Sequence, residues 1–422
     1  MDGRPASNSL VTRLFFAGAV TLTGDAVTLV AIPLTAVIVL QASPAELAIV
    51  GLAQALPILL LSIPLGAWVD RRMRRWPLLI ASDLARAVLL VIVPLAALAG
   101  MLSLPLLIAI AFVMSCAGTV FELGLAGWIP RILSGDALHK ANARIELSRS
   151  GALTVGPMLG GALVAVFTAP IALLADAASF LGSAAIIGSA RRAEPPFAPD
   201  PTPRRIRDEL TAGAGFLRKQ RLVAAVASTI TINNFSRNIA LGIAVLYLVE
   251  TAGMGPTAVA LAFGVGNTGF LVGALIARRL TARLGMGPTM QLGVALFGPS
   301  MLLFALAPTV VAGSAFTLML FANGLGIAIH NVNQVTVRQV LTPDHLRARV
   351  ASVLRLLGFG AVPLGTLVGG IIGEFVGLRA ALVVSGLGLL AGSVPYLLVR
   401  IGHLRTIDSL RPAGVRVATT SS

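Results

Sequence analysis

Long apolar segments, each about the length of one bilayer crossing, recur along the whole chain. A membrane-spanning helix needs about 20 predominantly apolar residues. Twelve segments meet this requirement, at 14–40, 46–69, 77–98, 104–127, 141–167, 171–190, 222–249, 257–280, 289–306, 310–337, 348–375 and 378–400. The pattern predicts an all-α integral membrane protein with twelve transmembrane helices, which we number span 1 to span 12.

The short polar gaps between these segments alternate in charge. The gap after span 2 carries Arg71, Arg72, Arg74 and Arg75, and basic residues also follow spans 4, 6, 8 and 10. The odd-numbered gaps contain a single basic residue, Arg379. Because Lys and Arg concentrate on the cytoplasmic side of membrane proteins, we expect both termini to be cytoplasmic. The expected location is a bacterial-type cytoplasmic (inner) membrane.

Composition narrows the class of protein. The chain of 422 residues is 56% hydrophobic and 12% charged, whereas a soluble domain is usually about a quarter charged. Its outer surface is therefore expected to face lipid. The net charge of +15 does not indicate a nucleic-acid partner, because the basic residues lie in the gaps. Cys116 is the only cysteine, so no intrachain disulfide is possible, and the four histidines show no metal-ligand spacing.

One break in hydrophobicity divides the chain into two halves. A proline-rich stretch at 195–203 cannot form a continuous helix, and 207–222 reads as an amphipathic helix in the inner-leaflet interface. We therefore predict a six-helix bundle at 1–190, a cytoplasmic linker with that helix at 191–221, a second six-helix bundle at 222–401 and a disordered cytoplasmic tail at 402–422.

The two halves carry an internal repeat. Gly156 and Gly160 of span 5 recur 209 positions later as Gly365 and Gly369 of span 11, and other pairs agree on nearly the same offset. Six spans separate the copies, so both have the same topology. The sequence therefore predicts two parallel-repeat bundles with a substrate site near the midplane between them.

Polar side chains concentrate in spans 1, 4, 7 and 10, which are repeat-related. In span 1, Thr21, Asp25 and Thr28 share one helix face. Polar residues inside a membrane span usually face a cavity or another helix. The predicted lining of a central pathway is Asp25, Glu122, Thr21, Thr28, Thr119, Asn233, Ser236, Arg237, His330, Asn331 and Gln334.

Asp25 and Glu122 are the predicted proton carriers, because a low dielectric disfavours an ionised carboxylate. Two alternatives remain open for their neighbours. Arg237 could neutralise one of the two carboxylates in a structural ion pair. His330 could titrate near neutral pH or be a packed, hydrogen-bonded histidine.

The gap after span 2 resembles a signature of the major facilitator superfamily. It runs from Gly66 to Arg75, with Asp70 and Arg71 at the family's aspartate and arginine positions and Met73 where a glycine is usual. In the family this motif forms a cytoplasmic charge lock. The resemblance covers essentially the whole chain and implies the superfamily fold and a transporter.

Span 5 is similar to the superfamily's antiporter motif, which ends in glycine-proline-x2-glycine-glycine and is associated with exporters. Asp83 and Arg86 at the start of span 3, Asn142 at the start of span 5 and the amphipathic central segment together resemble the branch of macrolide and siderophore exporters. Span 4 lacks the arginine that many drug/proton antiporters use. The conformational gating residues implied by the resemblance are Gly66, Asp70, Arg71, Arg74, Asp83, Arg86, Gly156, Pro157, Gly160 and Gly161.

These observations favour proton-coupled efflux of an amphiphilic small molecule, with proton-symport uptake of a metabolite as the alternative. The energy source expected is the proton gradient, with no cofactor. An ATP-driven pump is not expected, because neither lysine, Lys140 or Lys219, ends a phosphate-binding loop. An integral-membrane enzyme or a non-transporting sensor lacks support, since the sequence has no catalytic cluster and no soluble domain. Two half-bundles form a complete pathway, so the protein is expected to work as a monomer.

Overall fold

The computed structural model describes most of the chain. The described residues are 18–132 apart from 19, 23, 26, 71 and 73, then 152, 156, 159–160, 162–164 and 166–190, and finally 206–405. Within these ranges the chain forms helices joined by short turns, and no strand is found.

In the described part of the N-terminal half, five helices are long enough to cross a bilayer. The first, α1, ends in the π-helical turn Thr35–Val39. Pro57 and Pro64 lie inside α2 and Pro94 lies inside α3. The helices are α1 (Val20–Val39), α2 (Pro44–Asp70), α3 (Trp76–Leu98), α4 (Leu104–Ile132) and α5 (Ala169–Ala190).

The linker contributes α6 (Ile206–Lys219), and the C-terminal half follows it. Two of the crossings in this half are interrupted, because α9 gives way to α10 near Leu296 and α13 to α14 at Gly392 and Ser393. The helices are α7 (Arg221–Leu246), which continues as the π-helical Tyr247–Thr251, then α8 (Pro256–Leu284), α9 (Met286–Ala295), α10 (Phe297–Leu306), α11 (Ala312–Leu341), α12 (Asp344–Phe375), α13 (Leu378–Ala391) and α14 (Val394–Leu398).

Eleven segments of the described chain are long and apolar enough to span a membrane. They coincide with every predicted span except span 5, most of which lies outside the described residues. The predicted all-α, multi-pass membrane architecture is therefore confirmed, while the count of twelve stays a prediction. Helices α1 to α4 are spans 1 to 4, α5 is span 6, and α7 to α14 make up spans 7 to 12.

Glycines bring the first helix of each half close to a partner. A β-carbon added to Gly160 would lie 3.1 Å from the α-carbon of Val27 in α1, and one added to Gly369 would overlap the carbonyl oxygen of Ile239 in α7. Small residues permit such backbone approach in membrane helices. Gly160 and Gly369 are repeat-related, so both halves use the same close contact.

The two halves meet along α2 and α12. Glu374 accepts a hydrogen bond through Oε2 from the backbone nitrogen of Ala45 at 3.2 Å. One turn earlier, a β-carbon on Gly370 would overlap that of Ala48. We name this contact, between 44–51 and 366–374, the seal. It lies at the end of α12 away from the linker helix α6, so it closes one side of the protein.

The linker helix α6 packs against the other end of α12. A β-carbon on Gly213 would lie 2.5 Å from the carbonyl oxygen of Arg349. Leu217 is buried in a cluster that includes Val350 and Leu354. The helix predicted at 207–222 corresponds to α6, which ends at Lys219, and α12 covers an apolar side that was expected to face the inner leaflet. The cytoplasmic placement of this linker stays a prediction.

Candidate substrate and proton site

A cavity of about 560 Å³ lies between the two halves. This volume falls within the range of about 300–1,000 Å³ typical of small-molecule sites. Helices α1, α2, α3 and α4 line it from one half, and α7, α8 and α12 from the other. Its walls are mainly aliphatic, and its charged lining residues among those described are Asp25, Arg86 and Glu122.

The structure brings the predicted N-terminal candidates together in this cavity. Thr21, Asp25 and Thr28 line it from α1, and Thr119 and Glu122 line it from α4. The side chain of Asp25 is 42% exposed, and Glu122 is also exposed. Both predicted proton carriers can therefore be reached from the cavity.

The predicted C-terminal candidates on α7 do not line the cavity. Asn233 and Ser236 are buried against α13, where Ser385 donates a hydrogen bond to the carbonyl oxygen of Ser236 at 2.6 Å. Arg237 donates through Nη2 to Asn234 Oδ1 at 3.4 Å. Periodicity identifies residues that share a helix face, but it does not identify the helix packed against that face.

The candidates on α11 also lie elsewhere. His330 is buried, and its Nε2 lies 2.5 Å from the Oη of Tyr396 in α14. This geometry matches the packed, hydrogen-bonded alternative considered for His330. Asn331 is exposed and Gln334 is buried, and neither lines the cavity. The C-terminal half instead contributes Asn238 and Thr366 as polar lining residues.

Arg86 lies at the centre of a charged group beside the cavity. Its Nη1 donates to Asp25 Oδ1 at 3.5 Å, and its Nη2 donates to Asp83 Oδ1. The guanidinium carbon lies 4.7 Å from the ring centroid of Phe121 and 4.0 Å from that of Phe180. Arg86, rather than Arg237, is thus the cation paired with Asp25. Asp83 and Arg86, expected to act in gating, lie beside the cavity.

Sequence reasoning missed Asp176, the fourth member of this group. Asp176 in α5 is fully buried. The hydroxyl of Thr28 donates to its Oδ2, and that of Ser179 donates to its Oδ1 at 2.9 Å. We call Asp25, Asp83, Arg86 and Asp176 the charge cluster. The sequence does contain an indication of this role, because Asp176 is the only charged residue within span 6.

The gating residues implied by the motif after span 2 are partly described. Gly66 faces α4, where an added β-carbon would lie 4.0 Å from Leu123 Cδ1. Arg74 is exposed. The Asp70 side chain and all of Arg71 lie outside the described residues, so the predicted charge lock stays a prediction.

The gating residues of span 5 are described at two positions. Gly156 and Gly160 are both buried, and Gly160 makes the close contact with Val27 described above. Pro157 and Gly161 lie outside the described residues. The predicted hinge at this motif is therefore untested.

Comparison with known proteins agrees with this architecture. Residues 4–414 match the family described as transmembrane secretion effector. The chain is 29% identical to the multidrug efflux pump Tap of Mycolicibacterium fortuitum over 93% of this chain and 96% of that protein. It is 25% identical to YfiS, an uncharacterised transporter of the major facilitator superfamily from Bacillus subtilis, over 94% and 93% of the two chains.

Among solved structures, the fold is similar to that of a bacterial homologue of the human lysosomal transporter Spinster. The TM-score is 0.73 at 14% identity, covering 98% of this chain and 100% of the other. Fold, sequence relatives and family match all agree with the resemblance inferred from the motif after span 2. The chain belongs to the transmembrane secretion effector family of the major facilitator superfamily, and it is a multi-pass membrane transporter.

Proposed function

We propose that this transporter exports an amphiphilic small molecule in exchange for protons. The observation that carries the proposal is the central cavity, whose mainly aliphatic walls hold two reachable carboxylates, Asp25 and Glu122. The aliphatic walls suit the apolar part of a drug-like, macrolide-like or siderophore-like molecule. The carboxylates supply groups that can bind a proton or a polar part of the substrate.

Export rather than uptake is favoured by three observations. The matching family is described as a secretion effector, and the relative Tap is named a multidrug efflux pump. The glycine-proline-x2-glycine-glycine motif of span 5 is of the antiporter type and points the same way.

The seal suggests how the cavity changes access. In the proposed orientation both termini and α6 are cytoplasmic, so the seal closes the external side. Transport then requires the halves to rock, breaking the α2–α12 contact and closing the cytoplasmic side. Protonation and substrate binding must bias this two-state equilibrium in opposite directions. One chain supplies both halves, so the proposed functional unit is a monomer.

The test is accumulation of ethidium in cells that express the wild type, Asp25→Asn or Glu122→Gln. Glu250→Gln is the matched control, because Glu250 is exposed at the end of span 7 and does not line the cavity. We expect the wild type and the control to lower ethidium accumulation, a protonophore to abolish this effect, and Asp25→Asn to accumulate as much dye as cells without the protein.

Two results would contradict the proposal. Export that persists in the presence of the protonophore would exclude proton coupling. Ethidium that enters faster in cells with the protein, and only with an inward proton gradient, would establish uptake. The amount of each variant in membrane fractions is measured as well, so that a folding defect is not mistaken for a loss of transport.

A further inference from the structure

We propose that the transported proton resides on Asp176, while Asp25 is left to contact the substrate and Arg86 exchanges between the two carboxylates. The inference rests on the proposed proton coupling for its role in transport. Its structural content, a protonated Asp176 in the conformation described here, can be tested without any substrate.

The surroundings of Asp176 contain more carboxyl groups than cationic groups. Among the described residues, the charged groups close enough to act on Asp176 are Asp25 of α1 and Arg86 of α3. Arg86 in turn pairs with the buried carboxylate of Asp83. Its own helix, α5, carries no second charged side chain. The two groups that hydrogen-bond to Asp176 are the neutral hydroxyls of Thr28 and Ser179. Either hydroxyl oxygen can rotate its own hydrogen away and accept the O–H of a protonated carboxyl.

One guanidinium cannot compensate three carboxylates. Arg86 pairs with Asp83 and with Asp25, and no ion pair to Asp176 is found among the described residues. Asp25 is partly exposed in the cavity, whereas Asp176 is fully buried. An ionised carboxylate that is buried without a cation carries a large desolvation penalty. The carboxylate expected to bind a proton here is therefore Asp176.

Arg86 has the spare capacity that an exchange of partners needs. Its Nε is buried and has no hydrogen-bond acceptor among the described residues. When the O–H bond of protonated Asp176 breaks, the proton passes to water in the cavity and a negative charge stays on the carboxylate. Thr28 hydrogen-bonds to Asp176 and also lines the cavity. The proposed path of the proton from Asp176 to the cavity therefore passes beside Thr28. The new charge attracts Arg86, which then releases Asp25 into the cavity.

The experiment is infrared difference spectroscopy of the purified full-length protein, following the carbonyl stretch of protonated carboxyl groups as the pH is raised. We expect the wild type to show a carboxyl band that disappears with rising pH. Asp176→Asn should lack this band. Glu250→Gln should keep it unchanged, and Asp25→Asn should keep a titrating band. A wild-type band that persists in Asp176→Asn, or disappears in Asp25→Asn, would overturn the proposal.

A second variant covers the case in which Asp176→Asn does not fold. Thr28→Val keeps the carboxyl group and removes one of its hydrogen-bonding partners, so the frequency of the band should shift. An unshifted band would show that it does not belong to Asp176. Neither measurement uses ethidium, so failed dye export with a positive spectrum would reject the proposed function alone.

Discussion

The guanidinium carbon of Arg86 lies over the aromatic ring of Phe180, 4.0 Å from the ring centroid. Phe121 lies at 4.7 Å from the same carbon. Aromatic rings attract a cation through their faces, by up to about 2 kcal/mol when water is excluded. The two rings therefore help to hold the one cation of the charge cluster inside the N-terminal half.

Phe180→Leu is expected to lower the stability of the purified protein by about 1–3 kcal/mol, from the lost cation–π contact and the altered packing. The measurement is thermal unfolding in detergent. Phe112→Leu is the control, because Phe112 in α4 is 38% exposed and lies outside the cluster. Equal melting temperatures for the two variants would contradict a role of Phe180 in holding Arg86.

Gly369→Ala should disturb the contact between α12 and α7. The added methyl group would overlap the carbonyl oxygen of Ile239, so the two helices must move apart, at a cost of about 1–3 kcal/mol. Gly182→Ala is the control, since its methyl group would lie at an ordinary 3.9 Å from Val20. If both variants keep the melting temperature of the wild type, α12 and α7 are not closely packed at Gly369.

Cross-linking of the seal should stop transport. With Cys116→Ser as background, we expect the pair Pro44→Cys and Gly373→Cys to form a disulfide under mild oxidation, because a β-carbon on Gly373 would lie 3.1 Å from that of Pro44, close to the separation that a disulfide requires. Ethidium export should fall to the level of cells without the protein and return after reduction. The single-cysteine variants are the controls. Full export by the cross-linked protein would show that the seal does not open during transport.

Tyr396→Phe should destabilise the protein more than Tyr247→Phe, although both tyrosines are fully buried. The first change leaves the Nε2 of His330 without the Oη partner that lies 2.5 Å away, and an unsatisfied buried polar group costs about 1–3 kcal/mol. The Oη of Tyr247 accepts a hydrogen bond from Arg379 Nη2 at 3.2 Å. After the second change, this nitrogen keeps its hydrogen bond to the carbonyl oxygen of Ala307 at 3.2 Å. Melting temperatures in the reverse order would contradict the prediction.

The fold could be predicted because lipid imposes the same requirement on every crossing. Each span must be apolar over a bilayer's thickness, so its length is visible in the sequence. The interruptions at Leu296 and at Gly392 were not predicted, because a helix can break there without altering the hydrophobic profile. Proline residues inside α2, α3 and α12 leave those helices uninterrupted, so proline alone does not identify a break.

The candidate site could be predicted in one half and not in the other. Asp25 and Glu122 are conspicuous because a carboxylate in an apolar segment has few structural reasons to be there. The partner of Asp25 depends on α1 lying beside α3, which no local pattern reveals. On α7, the stripe ending at Ser236 faces α13, whereas Asn238 faces the cavity. A rotation of α7 by a fraction of a turn decides which of these side chains faces the cavity and which faces α13.

The described charged residues that line the cavity all belong to the N-terminal half, whereas the lining contributed by the other half is uncharged. In the proposed mechanism, the proton-binding groups therefore belong to one half, and the other half contributes only to the shape of the cavity. Exchanging Leu241, Val245 or Phe263 would alter the shape offered to a cargo without touching a titratable group. Under the proposed mechanism, such a chain can acquire new cargoes in evolution, or in the laboratory, by changing one wall of the cavity while the proposed proton-binding groups of the other half stay the same.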